Sequence, residues 1–371
     1  MSARSLTLAL AVALAPALGF GYGPGDPPPG VTDFSGGPIA LDTVHSRIFF
    51  CDSANNRVLV YGFSGQSGLI GTAPLAVFGQ IDANRTAVNG MDIPTPNGCG
   101  LAHPTGIAYD AARDGLWVSD FLNNRVLFFS TRKLRTFQPA DHVIGQAALG
   151  YGEPRSGARG LCGPTGLALS GDGQQLFIAD SLNNRIVSFD ISELARHPAA
   201  IGVFGQKDFW QFEPGVTASE LRGPTGIAVD AAGQLYVADT GNNRVLVFDA
   251  GAKSAGAAAC AVFGQEDFKT IKSTSGVGGL KKPAAIALAD ADRLMFVADT
   301  GNNRVLVYDG LSSDPLRAIA VIGQPNVTSS EPQPAAKGLD DPVGIVFDIL
   351  GQKLWVSETG NARVGFYKLG Q

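Results

Sequence analysis

Apolar residues in this chain of 371 residues gather in short bursts, not in long stretches of helical period. One pattern recurs. A few apolar residues end on an acidic one, three residues follow, and Asn-Arg-Val or a close relative opens the next burst: FFCDSANNRVLVY, WVSDFLNNRVLFF, FIADSLNNRIVSF, YVADTGNNRVLVF, FVADTGNNRVLVY and WVSETGNARVGFY. The acidic positions are Asp52, Asp120, Asp180, Asp239, Asp299 and Glu358, spaced 68, 60, 59, 60 and 59 residues apart. Upstream of each lies a turn and a short apolar strand: PTGIAYD from Pro104, PTGLALS from Pro164, PTGIAVD from Pro224, PAAIALA from Pro283, PVGIVFD from Pro342, and a copy two residues shorter, GPIALD, around Pro38. Downstream of the first five, a further strand ends in Gly-Gln, at Gln80, Gln146, Gln206, Gln265 and Gln324. Each unit therefore predicts four short strands.

Six copies of a four-stranded unit predict an all-β, six-bladed β-propeller, with one sheet per unit arranged radially so that faces pack on their neighbours. No unit can bury both its faces alone, so residues 37–371 form a single domain. A linear β-solenoid would need shorter coils. The sixth unit ends its third strand at Phe366-Tyr367-Lys368 with no fourth in view. Ring closure is expected either from Val31-Thr32-Asp33-Phe34 or through a blade of three strands, unless the chain is cut from a longer one.

The string from Pro224 to Phe248, PTGIAVD, a turn, then LYVADTGNNRVLVF, resembles an NHL repeat, and the Phe-Gly-Gln with its long loop resembles the extended repeats of exported bacterial NHL proteins. The resemblance covers residues 37 to 371 and implies a fold more than a function. Two relatives by fold imply chemistry at the propeller axis: amidating lyases of the NHL family hold zinc with axial histidines, and gluconolactonase-like propellers hold calcium with axial carboxylates and amides. Here the innermost strands read Ile, Ala, Leu and Val, and His45, His103, His142 and His197 fall at four different places in the repeat. No catalytic or metal-ligating set is assigned, and calcium or zinc enters only under the alternative of a metal-dependent lyase or lactonase-like hydrolase. RNA binding, as in tripartite-motif NHL proteins, conflicts with the net charge of -5 and with an export signal.

That signal is read from residues 1–19, where Arg4 precedes an apolar run from Leu6 to Leu18 that closes on Ala17-Leu18-Gly19. Residues 20–36, rich in Gly and Pro, read as a linker. A secreted or periplasmic protein without a membrane span after signal removal is the expectation. Among the four cysteines, Cys51 and Cys260 lie in apolar strand patterns and read as small buried hydrophobes. Cys99 and Cys162 lie in loops before a Pro-Thr-Gly, where a disulfide between them is possible. Asn84-Arg-Thr and Asn326-Val-Thr are glycosylation acceptors in a host that modifies exported chains.

The recurring Asp and Arg read as structural, because local pairing explains their spacing and a group present in every blade marks no single site. Specific candidates for ligand binding are few. His103 sits in an axial loop, Lys282 and Asp341 hold the matching place in later units, and Trp210 occurs once in a variable loop. The paired Asp-Phe after Gly-Gln (Phe209, Phe268) reads as packing. The function expected is a binding scaffold for protein or carbohydrate, with no nucleic acid partner.

Overall fold

The computed structural model describes residues 28, 31, 33–64, 68–91, 93–193, 197–252, 255–309, 314, 316–334 and 338–368. The expected signal at 1–19 lies outside them. Six antiparallel sheets form the ring, each with strands in chain order. Blade 1 comprises Ile39–Asp42, Arg47–Asp52, Arg57–Ser64 and Ala76–Phe78, with a short extra strand, Gly68–Ile70, beside the third. Blade 2 comprises Pro104–Asp110, Gly115–Asp120, Arg125–Ser130 and His142–Ile144, and blade 3 Pro164–Leu169, Gln175–Asp180, Arg185–Asp190 and Gly202–Phe204. Blade 4 comprises Ile227–Val229, Gln234–Asp239, Arg244–Asp249 and Ala261–Phe263, and blade 5 Ala285–Ala289, Leu294–Asp299, Arg304–Asp309 and Ala318–Ile322. Blade 6 comprises Pro342–Asp348, Lys353–Glu358 and Arg363–Lys368.

The acidic residue and the arginine lock each blade to the loops above it. In blade 3, Arg185 Nε donates to Asp180 Oδ2 at 2.7 Å, and both side chains are wholly buried. Asn183 Nδ2 donates to the same oxygen at 2.7 Å, and the Cys162 N–H to Asp180 Oδ1 at 2.6 Å. The remaining guanidinium nitrogens reach the carbonyls of Gly157 and Gly160 in the incoming loop and of Phe209 in the outgoing one. Burial pushes the Asp180 carboxyl up, and the guanidinium opposes it. The second asparagine takes the left-handed conformation that the turn requires, with φ of 55, 50, 51, 55 and 54° at Asn56, Asn124, Asn184, Asn243 and Asn303. Its Oδ1 accepts the N–H that enters the next blade, from His103, Gly163, Gly223, Lys282 and Asp341. The glutamine of Gly-Gln then donates to that asparagine's own carbonyl, as Gln206 does to Asn184 at 3.0 Å.

Six apolar clusters lie between successive blades, the last joining Val31, Phe34 and Ile39 to Trp355 and Val364. The ring thus closes by face packing. At the axis the fit is so tight that a Cβ at Gly106, Gly166 or Gly344 would stand 1.9, 2.2 or 2.3 Å from the carbonyl oxygen of Thr165, Thr225 or Gly37 on the following blade. The expected fourth strand at Val31–Phe34 is not one. The described part of that segment makes no strand pairing and contributes buried side chains instead. Pro28, Val31 and Phe34, all within the segment read as a linker, are buried.

One cysteine expectation changes. Cys260 is exposed, because it precedes the strand Ala261–Phe263 instead of standing within its buried face. Cys162 matches Ala102 in the repeat, since both N–H groups cap the Asp of their blade, so Cys99 stands three residues earlier than a true counterpart. Cys99 and Cys162 are both half-buried free thiols here, and Cys51 is fully buried.

Candidate functional site

Antiparallel order puts two sets of loops at one end of the ring: those entering the innermost strands and those leaving the second strands. At that end, around the axis, opens a cavity of about 410 Å³. Its floor is a ring of one aliphatic side chain per blade: Ile39, Ile107, Leu167, Ile227, Ile286 and Ile345. Two residues above, the ring breaks symmetry. Blades 2, 3 and 4 present Thr105, Thr165 and Thr225, whereas blades 5, 6 and 1 present Ala284, Val343 and Gly37. Thr105 Oγ1 donates to the Pro164 carbonyl at 2.9 Å. Thr165 and Thr225 pair with the hydroxyls of Ser181 and Thr240 at 2.5 and 2.6 Å. These hydroxyls are held in place by their partners and keep lone pairs for a ligand's donor.

Ser35, Ser53, Ala54, His103 and Thr359 complete the mouth. His103 is the single titratable side chain among the lining residues. It holds φ of 53°, is hydrogen-bonded to the Ser53 backbone, and meets the Phe121 ring edge-on at 6.0 Å between centroids. Burial pushes its pKa down, so the imidazole is neutral at pH 7.

Lys282 and Asp341 occupy the same left-handed position, with φ of 50 and 53°, but both are exposed and line no part of the cavity. Asp341 accepts a hydrogen bond from the Thr359 hydroxyl. The three candidates thus share a register position, and only His103 faces the mouth. Trp210 is 72% exposed, with its ring against Gly157 and its backbone N–H donating to Asp208 Oδ1 at 2.7 Å. Phe209 and Phe268 join the interblade clusters, as packing residues. Beside the mouth, Leu122 and Leu182 are each 58% exposed where blades 4, 5 and 6 carry Gly241, Gly301 and Gly360. An apolar shoulder therefore flanks His103 on one side only.

Neither axial chemistry implied by the fold relatives suits this donor set. Calcium needs several carboxylate or amide oxygens, and no Asp, Glu, Asn or Gln lines the cavity. Zinc needs three or four nitrogen or sulfur ligands, and His103 stands alone there. On the opposite face, Asp42, His45 and Asp114 approach one another, but Arg47 fills their centre, with Nε on Asp42 at 2.5 Å and Nη2 on Asp114 at 2.7 Å. Its Nη1 donates to the Thr131 carbonyl at 2.6 Å, so this group fastens blade 1 to blade 2.

The comparisons with known proteins agree with this architecture. NHL repeat-containing protein 2 of Homo sapiens is 28% identical over 162 residues, which is 40% of this chain and 21% of that protein. The chain is a six-bladed β-propeller whose repeats are similar to those of NHL repeat-containing proteins. A second relative of this propeller is the chloroplastic protein SUPPRESSOR OF QUENCHING 1 of Arabidopsis thaliana, 28% identical over 42% of this chain and 15% of that protein. The match thus takes in about a fifth of such relatives or less. A family model described as SMP-30/Gluconolactonase/LRE-like region matches residues 146–276, chiefly blades 3 and 4. The solved nidogen/laminin complex contains a chain that matches with a TM-score of 0.50 at 14% identity, over 87% of this chain and 93% of that one, a likeness of fold alone. No helix among the described residues is long and apolar enough to cross a membrane.

Proposed function

We propose that this propeller is a binding module that takes an apolar side chain of a protein partner into its axial mouth. One observation carries the reading: a cavity of about 410 Å³ with an aliphatic floor, a half-ring of hydroxyls and no charged side chain in its lining. Burying a leucine- or phenylalanine-sized group against such a floor contributes about 2 kcal/mol. The hydroxyls of Thr105, Thr165 and Thr225 and the neutral imidazole of His103 orient the neighbouring amide. Leu122 and Leu182 extend the contact surface on that side, and Trp210 and Phe212 stand beyond them as rim contacts. Carbohydrate is the weaker ligand class, because a sugar's hydroxyls would meet mainly Ile and Leu. Export remains our reading of residues 1–19.

The test is an amide chemical-shift titration of the chain with N-acetyl-leucinamide, N-acetyl-phenylalaninamide and methyl glucoside. Shifts confined to Thr105, Thr165, Thr225 and His103 with the two amides are expected. Shifts produced by the glucoside alone, or only at the outer loops, would assign the site elsewhere.

A further inference from the structure

We infer that the polypeptide segment whose apolar residue enters the axial mouth carries an acidic residue beside it, held above blades 4 and 5 by Arg222, Lys281 and Lys282. The inference rests on the binding reading above and adds the chemistry of the partner. One residue per blade stands at a fixed point of this end of the ring: the residue whose N–H caps the blade's buried acid. From blade 1 to blade 6 these are Ser35, Ala102, Cys162, Arg222, Lys281 and Asp340. Ser35 of this set lines the cavity itself. The next residue is Lys282 in blade 5 and Asp341 in blade 6. Cations therefore occupy two adjacent blades, and acids the one that follows.

Backbone hydrogen bonds fix where the cationic side chains start. The N–H groups of Arg222 and Lys281 donate to Asp239 and Asp299 at 2.7 Å each, and their carbonyls accept the N–H of Gly241 and Gly301 at 3.0 and 2.9 Å. Glycine in those turns leaves room for the stems, since a Cβ there would stand 2.5 Å from Arg222 Cγ and 2.8 Å from Lys281 Cγ. Blades 2 and 3 reverse the arrangement, with Leu122 and Leu182 in the turn and the short side chains of Ala102 and Cys162 in the loop. One side of the mouth is thus aliphatic, and the other carries charged heads on apolar stems. Lys282 follows, its N–H on Asn243 Oδ1 at 2.9 Å, two residues before Ala284 of the cavity lining. All three cations are exposed, and among the described residues none of them forms an ion pair. Glu220, the nearest acid in sequence to Arg222, is turned back on its own loop, where it accepts the Thr217 hydroxyl at 2.8 Å. Three positive charges without an internal counter-charge attract a carboxylate from outside.

A nucleic acid strand fits less well. The cationic arc is bounded by Leu182 on blade 3 and by Asp340 and Asp341 on blade 6, so a run of phosphates crossing it would meet acids after two blades. A single acidic side chain beside the apolar anchor needs no longer arc.

The test is a calorimetric titration of the full chain with acetyl-Asp-Leu-Asp-amide and with its uncharged isostere acetyl-Asn-Leu-Asn-amide. The acidic peptide should bind about threefold to tenfold tighter at low ionic strength, and the preference should shrink as added salt screens the charges. It should vanish in the double variant Arg222→Gln, Lys281→Gln, which keeps the apolar stems over Gly241 and Gly301 and whose melting temperature checks the fold. Equal binding of the two peptides by wild type would overturn this inference and leave the mouth reading standing, whereas no binding of either would remove both. A preference that salt leaves unchanged, or that persists in the folded variant, would place the carboxylate elsewhere. Saturable binding of oligouridylate that the double variant abolishes would assign the cations to nucleic acid instead.

Discussion

Each arginine of the repeat exchanges water for a full set of buried acceptors, and the consequence is steep. Arg185→Met would leave Asp180 buried beside Asn183 with no cation. Breaking such a pair typically costs about 3 to 5 kcal/mol, so the urea midpoint of this variant should fall far below wild type. His103 makes a subtler prediction. Its folded pKa lies below the unfolded value of about 6.5, so as pH falls through that value the unfolded chain takes up the proton first and stability declines. His103→Asn keeps a residue that tolerates the left-handed conformation and removes the titration. Between pH 7 and 5 the stability of the variant should therefore fall less than that of wild type, measured by denaturant unfolding at each pH. The pairing role of Asp and Arg was legible in the sequence, because their fixed spacing across a turn already put them in reach. The capping of the next blade by the second asparagine was not, since that bond joins residues about 39 apart.

The blade is the element, and its innermost strand is where blades meet most closely. Gly106→Ala and Gly166→Ala would drive a methyl group into the carbonyl of the following blade, and we expect each to destabilise by about 2 kcal/mol or more. Gly365→Ala is the matched control, because nothing stands within 4 Å of the added carbon. Thermal melts of the three variants check the contrast. Strand number and order could be read from periodicity alone, as each unit repeats its own punctuation. The state of Val31–Phe34 could not. A segment that buries Val31 and Phe34 without strand pairing carries the same apolar pattern as a short strand. Cys260 misled for a related reason: one step at a strand's start exchanges the buried face for the exposed one.

At the scale of the whole molecule, six similar blades make a symmetric ring, and function enters where the symmetry fails. The sequence shows that failure in plain letters, Pro-Thr-Gly in three blades against Pro-Ala-Ala, Pro-Val-Gly and Gly-Gly-Pro in the others. Its meaning depends on all six positions facing one cavity, which no single repeat reveals. His103, Lys282 and Asp341 were found together by register, yet register does not say which way a side chain turns, and only His103 turns toward the mouth. The central claim is that the mouth binds an apolar group, and blocking it is the direct test. Ala54 is exposed on its lip, so Ala54→Trp fills the opening without disturbing the core. Titrating N-acetyl-leucinamide into wild type and Ala54→Trp should give saturable binding that the variant weakens at least tenfold with an unchanged melting temperature. Equal binding by both proteins, or no binding by wild type, would contradict the claim.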